Sequence, residues 1–151
     1  MLTHLQRVRQ SLKYRGQSAT KSTLAGTACP CINSETLTPS REWHRDNPTA
    51  ADCSGTGLIS STRTNLTIYT FIQEMDEEEL EKLPPGLRNV AALKYFGAVD
   101  ASLNFVSVAS MDEKRDYVVF DSLKYIVRNV DQQKFGDSIW YEEAILERRT
   151  D

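Results

Sequence analysis

The chain has 151 residues, a length typical of one domain, and 40% of them are hydrophobic, which is enough to build a sizeable core. A net charge of −3 excludes a nucleic-acid binder that relies on bulk positive charge. The sequence has no apolar run long enough to span a bilayer, so we expect a protein that functions without a membrane.

The cysteine content favours a reducing compartment. Three cysteines are an odd number for a disulfide framework, and the first ten residues, MLTHLQRVRQ, lack the apolar stretch of a secretory signal. We therefore expect synthesis in the cytoplasm, where the Asn65-Leu66-Thr67 sequon stays unmodified.

The first predicted element is an N-terminal helix over residues 1–16. Its apolar residues are spaced three and four apart, which places them on one helix face. These residues are Leu2, Leu5, Val8 and Leu12. Gly16 is expected to end the helix, and His4 is expected to be a solvated histidine within it.

Residues 17–60 are predicted to form an arm, with a strand fragment or extended chain at 17–28 and a polar, turn-rich excursion at 29–57. The excursion contains every cysteine of the chain and one of its two histidines, in the order Cys29-Pro30-Cys31, Trp43-His44 and Cys53. The stretches between them cannot bury enough apolar surface to become ordered by themselves. We therefore expect an additional element to hold this excursion together.

Three thiolates and one imidazole make a complete tetrahedral shell for Zn²⁺, so we predict a structural zinc site formed by Cys29, Cys31, His44 and Cys53. Twelve residues separate Cys31 from His44 and eight separate His44 from Cys53, and each loop is long enough to return to one ion. The single residue between the first two cysteines is shorter than the usual spacing in zinc knuckles. Separate buried thiols and a disulfide between two cysteines are the alternatives that the sequence leaves open. Trp43 is expected to cover the apolar side of the site.

Residues 61–151 alternate between strand-like and turn-like segments and predict a small antiparallel β-barrel. The acidic run at 76–83 is predicted to be a loop or a single helical turn that ends at Pro84-Pro85-Gly86. The predicted strands are 62–75, two short strands around Asp100 within 89–110, and then 116–120, 124–130 and 138–148. The fold class is therefore mainly β, with an N-terminal helix.

The last two strands, 124–130 and 138–148, should pair as an antiparallel hairpin with its turn inside residues 131–137. The residues of this hairpin that we expect to be buried are Tyr125, Val127, Trp140 and Leu146.

The sequence contains no recognisable catalytic constellation. A zinc deaminase needs His-x-Glu followed by Pro-Cys-x-x-Cys, whereas here Asp46 stands two residues after His44 and the Pro-Cys pair precedes the histidine. Gly55-Thr56-Gly57 lacks the Lys-Ser/Thr of a phosphate-binding loop. We predict that the protein is not an enzyme.

Two sets of motifs resemble those of bacteriophage neck proteins. The segments Asp116–Phe120, Lys124–Val127 and Trp140–Arg148 match, in order and spacing, the "D-x-V", "Y-x-V" and "Y-x-x-A-x-L-x-R" strands of head-closure proteins, also called stoppers. The Cys-Pro-Cys, Trp-His, Asn47-Pro48 and Cys53 series, followed by Leu58-Ile59, is similar to phage head–tail connector proteins. Together these matches cover about half of the chain.

The resemblance implies a structural virion protein of the phage neck, without enzymatic activity, assembled as a ring of roughly six or twelve copies. Its implied partners are further copies of itself, the portal or adaptor, and the tail proteins, with packaged DNA contacted only non-specifically. Its implied location is the neck of the virion. Two alternatives remain: a zinc-ribbon-like nucleic-acid-binding module, or a neighbouring neck ring such as an adaptor or tail terminator.

Overall fold

The computed structural model describes residues 3–85, 92–135 and 138–150, with the side chains of 135 and 138–140 left aside. Three helices and six strands occur in these ranges. They are α1 (His4–Arg15), β1 (Gln17–Ala28), α2 (Arg41–Asp46), β2 (Leu58–Glu74), α3 (Glu77–Glu81), β3 (Ala92–Val99), β4 (Tyr117–Phe120), β5 (Leu123–Phe135) and β6 (Ser138–Arg148). None of these helices has the length and apolarity needed to span a membrane.

The strands form a closed barrel in the order β1-β2-β3-β6-β5-β4, with β4 paired to β1. The pairs β1–β4, β2–β3, β3–β6, β4–β5 and β5–β6 are antiparallel, so the predicted mainly β fold with an antiparallel barrel and an N-terminal helix is confirmed. The chain divides into two compact units, one of residues 1–22 and 65–151 and the other of Thr23–Thr64. We call them the barrel unit and the cysteine unit. The boundaries predicted from the sequence were 17–60 for the arm, which corresponds to the cysteine unit, and 61–151 for the barrel.

Helix α1 begins at a capping box, in which the Thr3 hydroxyl accepts from the Gln6 backbone and the Gln6 side chain accepts from the Thr3 backbone. Gly16 ends the helix, as predicted, but in an extended conformation. A Cβ on Gly16 would lie 2.4 Å from the Leu12 carbonyl oxygen and 2.6 Å from the Thr70 carbonyl oxygen. Glycine is therefore required by close packing here, because no side chain fits between these two carbonyls.

Leu12 attaches α1 to the barrel. Its side chain is buried, and its Cδ1 atom lies 3.3 Å from the position that a Cβ on Gly97 would occupy. Gly97 belongs to β3 and has a φ of +58°, a conformation that favours glycine. Burial of a leucine side chain is worth about 1.5–3 kcal/mol, which makes Leu12 the main apolar anchor of the helix.

The core of the barrel unit is apolar and continuous. Its buried residues come from all six strands and from the loop between β3 and β4. They are Ala19, Ile68, Ile72, Tyr95, Ala98, Val106, Val108, Val118, Tyr125, Val127, Ala144 and Leu146. The predicted burial of Tyr125, Val127 and Leu146 is confirmed, while the side chain of Trp140 lies outside the described residues.

The β5–β6 hairpin is confirmed as antiparallel, with Val127 opposite Leu146 and Phe135 opposite Ser138. The connection between the strands is residues 136–137, which lie outside the described residues. Strand β5 is longer than predicted, because it continues to Phe135 through an irregularity in register between Arg128 and Asp131. The left-handed Asn129, at φ +51°, marks this bulge.

The prediction of two short strands around Asp100 is wrong in its second half. β3 ends at Val99, and the Asp100 carboxylate then accepts hydrogen bonds from the backbone N–H groups of Ser102 and Asn104. One isolated bridge, between Val99 and Phe105, follows this turn. The Val106 N–H still donates to the Ala98 carbonyl oxygen of β3 at 3.0 Å, whereas Ser107 and Val108 are bonded to a buried side chain of β6, described below.

Candidate metal centre

The cysteine unit brings the four predicted ligands together. One ligand atom from each of Cys29, Cys31, His44 and Cys53 lies within 4.8 Å of all the others. The His44 Nε2 atom is 3.4 Å from the Cys29 sulfur and 3.5 Å from the Cys53 sulfur, and the Cys31 and Cys53 sulfurs are 3.5 Å apart. In the part of the chain that the structure describes, this is the one such cluster of three or more His, Cys, Asp or Glu side chains. The cluster can hold a metal ion.

The first two ligands lie at the end of β1. The Cys29 backbone N–H donates to the Gly57 carbonyl oxygen at 2.9 Å, which joins the two ends of the excursion. Ile32 N–H then donates to the Cys29 carbonyl oxygen at 3.2 Å, closing a turn around Pro30. Ser40 N–H donates to the Cys31 carbonyl oxygen at 3.0 Å. These bonds fix the backbone around Cys29 and Cys31, whose sulfurs lie within 4.8 Å of each other.

His44 is placed by the short helix α2. Ser40 is its N-cap, and the Ser40 hydroxyl accepts from Trp43 N–H at 3.2 Å. At the other end, the Asn47 side-chain amide donates to the Trp43 carbonyl oxygen at 2.8 Å, which satisfies a terminal carbonyl. A six-residue helix has little stability of its own, so these caps fix the position of His44.

Cys53 lies in a tight turn. The Asp52 carboxylate accepts from Ser54 N–H at 2.9 Å, an arrangement typical of Asx turns. The Thr56 N–H and hydroxyl both donate to the Cys53 carbonyl oxygen, at 2.9 and 2.7 Å. The Cys53 backbone is therefore held on both sides, and its sulfur is directed towards His44 and Cys31.

The three cysteines are buried, with 2–3% of each residue exposed. Trp43 and Ile59 pack against them, as expected for Trp43, and the Trp43 ring meets the His44 ring edge-on at 5.2 Å. Among the described residues of the cysteine unit, these cysteines form its hydrophobic cluster. A unit of 42 residues normally needs a disulfide, a metal or a partner in addition to so small an apolar core.

The thiols differ in acidity. Burial raises the pKa of Cys31 to about 11, with further contributions from hydrogen bonding to Cys29 and Cys53. Burial also raises the pKa of Cys53. Hydrogen bonds from His44 and from the Gly57 backbone lower it by more, so the pKa of Cys53 falls to about 6. Without a bound cation, Cys53 is thus the preferred thiolate of the cluster and Cys31 stays a protonated thiol. A bound cation favours the thiolate at every ligand.

The site opens on one side into a pocket of about 350 Å³ within the cysteine unit. His44 and Cys53 form part of its lining, together with Arg41, Asp52 and Ser54. The other histidine, His4, is an exposed residue of α1 and does not belong to the cluster.

A polar group that sequence reasoning missed lies in the barrel unit. Glu142 is fully buried, and its carboxylate accepts from the Ser107 hydroxyl at 2.5 Å, the Val108 N–H at 3.0 Å and the Gln132 side-chain amide at 2.7 Å. These bonds hold the loop after β3 against β5 and β6. The one signal in the sequence was the two-residue spacing along β6, because Glu142 lies on the same face of the strand as the buried Ala144 and Leu146.

No family model matches the chain, and no curated protein sequence matches it.

Proposed function

We propose that the cluster binds one structural Zn²⁺ through Cys29, Cys31, His44 and Cys53. Zinc–sulfur bonds of about 2.3 Å and zinc–nitrogen bonds of about 2.0–2.1 Å place tetrahedral ligands about 3.8 Å apart for two sulfurs and about 3.6 Å apart for sulfur and nitrogen. The observed 3.5 Å between sulfurs and 3.4–3.5 Å between sulfur and nitrogen are close to these edges. The donor set therefore suits zinc, with three of the six ligand–ligand distances close to tetrahedral edges and all six within 4.8 Å.

Such a site is structural because four protein ligands leave no position for water or substrate. When bound, the ion would cross-link three parts of the excursion: its start at Cys29 and Cys31, helix α2 at His44, and its end at Cys53. The chain's own groups supply the rest: Ser40 and Asn47 fix the helix of His44, and Trp43 limits water access to the sulfurs. The protein's contribution is thus a pre-shaped set of ligands rather than a catalytic centre.

Metal analysis of protein purified without chelators tests this proposal. We expect about one zinc per chain, because one tetrahedral shell holds one ion. The Cys53→Ser variant should lose most of that zinc, while Ser34→Ala, a change at an exposed serine of the same unit, should retain it. Zinc-free wild-type protein would overturn the proposal.

We further propose that the protein is a structural subunit of a tailed-phage neck, of the head-closure or connector type, in a ring that joins the portal or adaptor to the tail and retains packaged DNA. One observation supports this more than any other. The three motif segments of the head-closure resemblance lie on β4, β5 and β6, which are neighbours in a closed barrel. The motifs therefore mark one continuous sheet rather than scattered matches.

The oligomeric state tests the neck proposal most directly. Mass photometry and negative-stain microscopy of the purified protein should show closed rings of roughly six or twelve copies. A monomer that binds duplex DNA would favour the nucleic-acid-binding alternative. In phage particles, unfolding the excursion at 29–57 should give filled heads that lose DNA or fail to join tails, and normal tailed particles from such a variant would remove the proposal.

A further inference from the structure

Helix α1 carries an unpaired basic face. Among its twelve residues, four are basic and none is acidic. Two of the four are engaged or enclosed: Lys13 donates to the Ala101 carbonyl oxygen at 2.6 Å, and the Nε atom of Arg9 is buried. Arg7 and Arg15 are exposed, and neither has an ion pair with any described residue.

These two arginines line a shallow groove. Its walls are Arg7, Gln10, Ser11, Tyr14 and Arg15, which recur at helical spacing along one face of α1. Tyr14 is 74% exposed, which is unusual for so large an aromatic residue in a helix. Tyrosine and arginine are enriched at protein–protein interfaces, and two guanidinium groups without an ion pair suit a partner that carries carboxylates.

The same unit carries the complementary surface. The segment from Asp76 to Glu81 contains five carboxylates within six residues. Two of them have partners in the chain: Asp76 and Glu79 form the capping box of α3, and Glu79 also pairs with Lys94. The other three, Glu77, Glu78 and Glu81, are exposed and have no ion pair among the described residues.

We propose that the acidic α3 of one copy of the protein docks on the Arg7–Arg15 face of α1 of a second copy. The partner is a second copy because each chain presents both charged surfaces and neutralises neither internally. The contact is heterologous, since one surface meets a different surface, and repetition of such a contact generates a ring or an open filament. This inference rests on the proposed ring of identical subunits and specifies the surfaces that form it.

Charge reversal on each surface provides the test. One variant, Arg7→Glu/Arg15→Glu, makes the α1 face acidic, and a second variant, Glu78→Lys/Glu81→Lys, makes the exposed face of α3 basic. Each variant alone brings like charges together at the contact, so self-association should weaken at least about tenfold. Wild-type assembly should also weaken when NaCl rises from about 0.05 M to about 0.5 M, because the charges are exposed.

An equal mixture of the two variants distinguishes the proposed contact from general charge effects. In the mixture, the acidic α1 of one variant meets the basic α3 of the other, and the basic α1 meets the acidic α3. Assembly should therefore return in the mixture, with the two variants alternating. The control Lys114→Glu/Lys134→Glu changes the charge by the same amount at exposed lysines outside both helices and should assemble like wild type.

Analytical ultracentrifugation and native mass spectrometry give the result. Rings that persist unchanged in both single-surface variants would overturn this contact while leaving the neck-ring proposal intact. A wild-type protein that stays monomeric at all concentrations would also overturn the contact, and the phage-particle experiment would then decide the neck proposal separately. If Arg7→Glu/Arg15→Glu abolished binding of a duplex DNA probe but left self-association unchanged, α1 would be a nucleic-acid surface and the inference would be wrong.

Discussion

The two units of this chain are stabilised by different kinds of interaction. The barrel unit encloses twelve buried core residues, contributed by all six strands and a loop. The cysteine unit has a cluster of three cysteines with Trp43 and Ile59 beside it. Apolar area stabilises the barrel in any solvent condition that preserves the hydrophobic effect. The cysteine unit depends on what its sulfur atoms bind, so its order should respond to metal and the barrel's should not.

The largest expected effect is therefore removal of the proposed zinc ion from the cysteine unit. Structural zinc contributes about 10–16 kcal/mol of apparent binding free energy in small zinc modules, far more than this apolar cluster supplies. Chelation, or the Cys53→Ser substitution, should abolish hydrogen-exchange protection across residues 29–57. The amides of β5 and β6 should keep their protection, because their core lies elsewhere. The Ser34→Ala variant serves as the control. Simultaneous loss of protection in residues 124–130 would break the comparison between independent units.

The converse experiment weakens the barrel and leaves the metal site alone. Glu142→Leu removes the buried acceptor of three hydrogen bonds, which leaves the Val108 N–H without this acceptor and the Gln132 amide with only the Ser107 hydroxyl at 3.4 Å. We expect a loss of about 2–4 kcal/mol in the free energy of unfolding, measured by urea denaturation. Glu143→Leu, on the exposed parity of the same strand, should cost less than about 0.5 kcal/mol.

Zinc content should be the same in both of these glutamate variants. A Glu142→Leu protein that folds normally but loses its metal would show that the two units are not energetically separate. If the Glu142→Leu protein is as stable as wild type, the free energy lost in desolvating the buried carboxylate equals the free energy gained from its hydrogen bonds.

Sequence reasoning located the cysteine–histidine cluster because its signal is chemical. Cys29, Cys31, His44 and Cys53 are rare residue types in a segment too polar to fold alone, and their chemistry restricts the arrangements available to them. The sequence could not provide the small elements that orient them. Helix α2 is only six residues long, which is too short for a periodic pattern, and it depends on the Ser40 cap.

The barrel was predicted from strand composition, and the errors concern the segment after β3 and the end of β5. Residues 106–108 have the composition of a strand, but after the backbone bond of Val106 to Ala98 the chain is held by the Glu142 carboxylate. The contact of Val108 with Glu142 spans 34 residues of chain, which no local pattern encodes. The end of β5 was placed too early because DQQKF is polar. The structure continues the strand there, with Asp131 and Gln133 exposed.

A smaller effect is expected at the junction of α1 with the barrel unit. Gly16→Ala would place a methyl carbon 2.4 Å from the Leu12 carbonyl oxygen and 2.6 Å from the Thr70 carbonyl oxygen, so the backbone must move. We expect a loss of about 1–3 kcal/mol, without loss of zinc, measured by thermal or urea unfolding. Ser18→Ala, at an exposed position of β1, is the control. A stabilising effect of Gly16→Ala would show that the end of the helix can shift freely.

The smallest effect concerns acid sensitivity of the barrel unit. The Arg115 guanidinium donates to the Asp112 carboxylate at 3.0 Å, and the backbone N–H of Lys114 also donates to it, which holds the pKa of Asp112 below its usual value. A depressed folded-state pKa means that the contribution to stability is present above the unfolded-state pKa of about 3.9 and is lost as the pH falls through the folded-state value.

Because the pair is partly exposed to solvent, this contribution should be only a few tenths of a kcal/mol. Asp112→Asn should therefore lower stability slightly near neutral pH and remove part of the decline below about pH 4, as measured on barrel amides by hydrogen exchange. The cysteine unit should respond to acid through its thiolates instead, since protonated sulfurs release metal. If Asp112→Asn shifted the pH at which zinc is lost, acid would act on both units through one carboxylate. The two units would then not be stabilised separately.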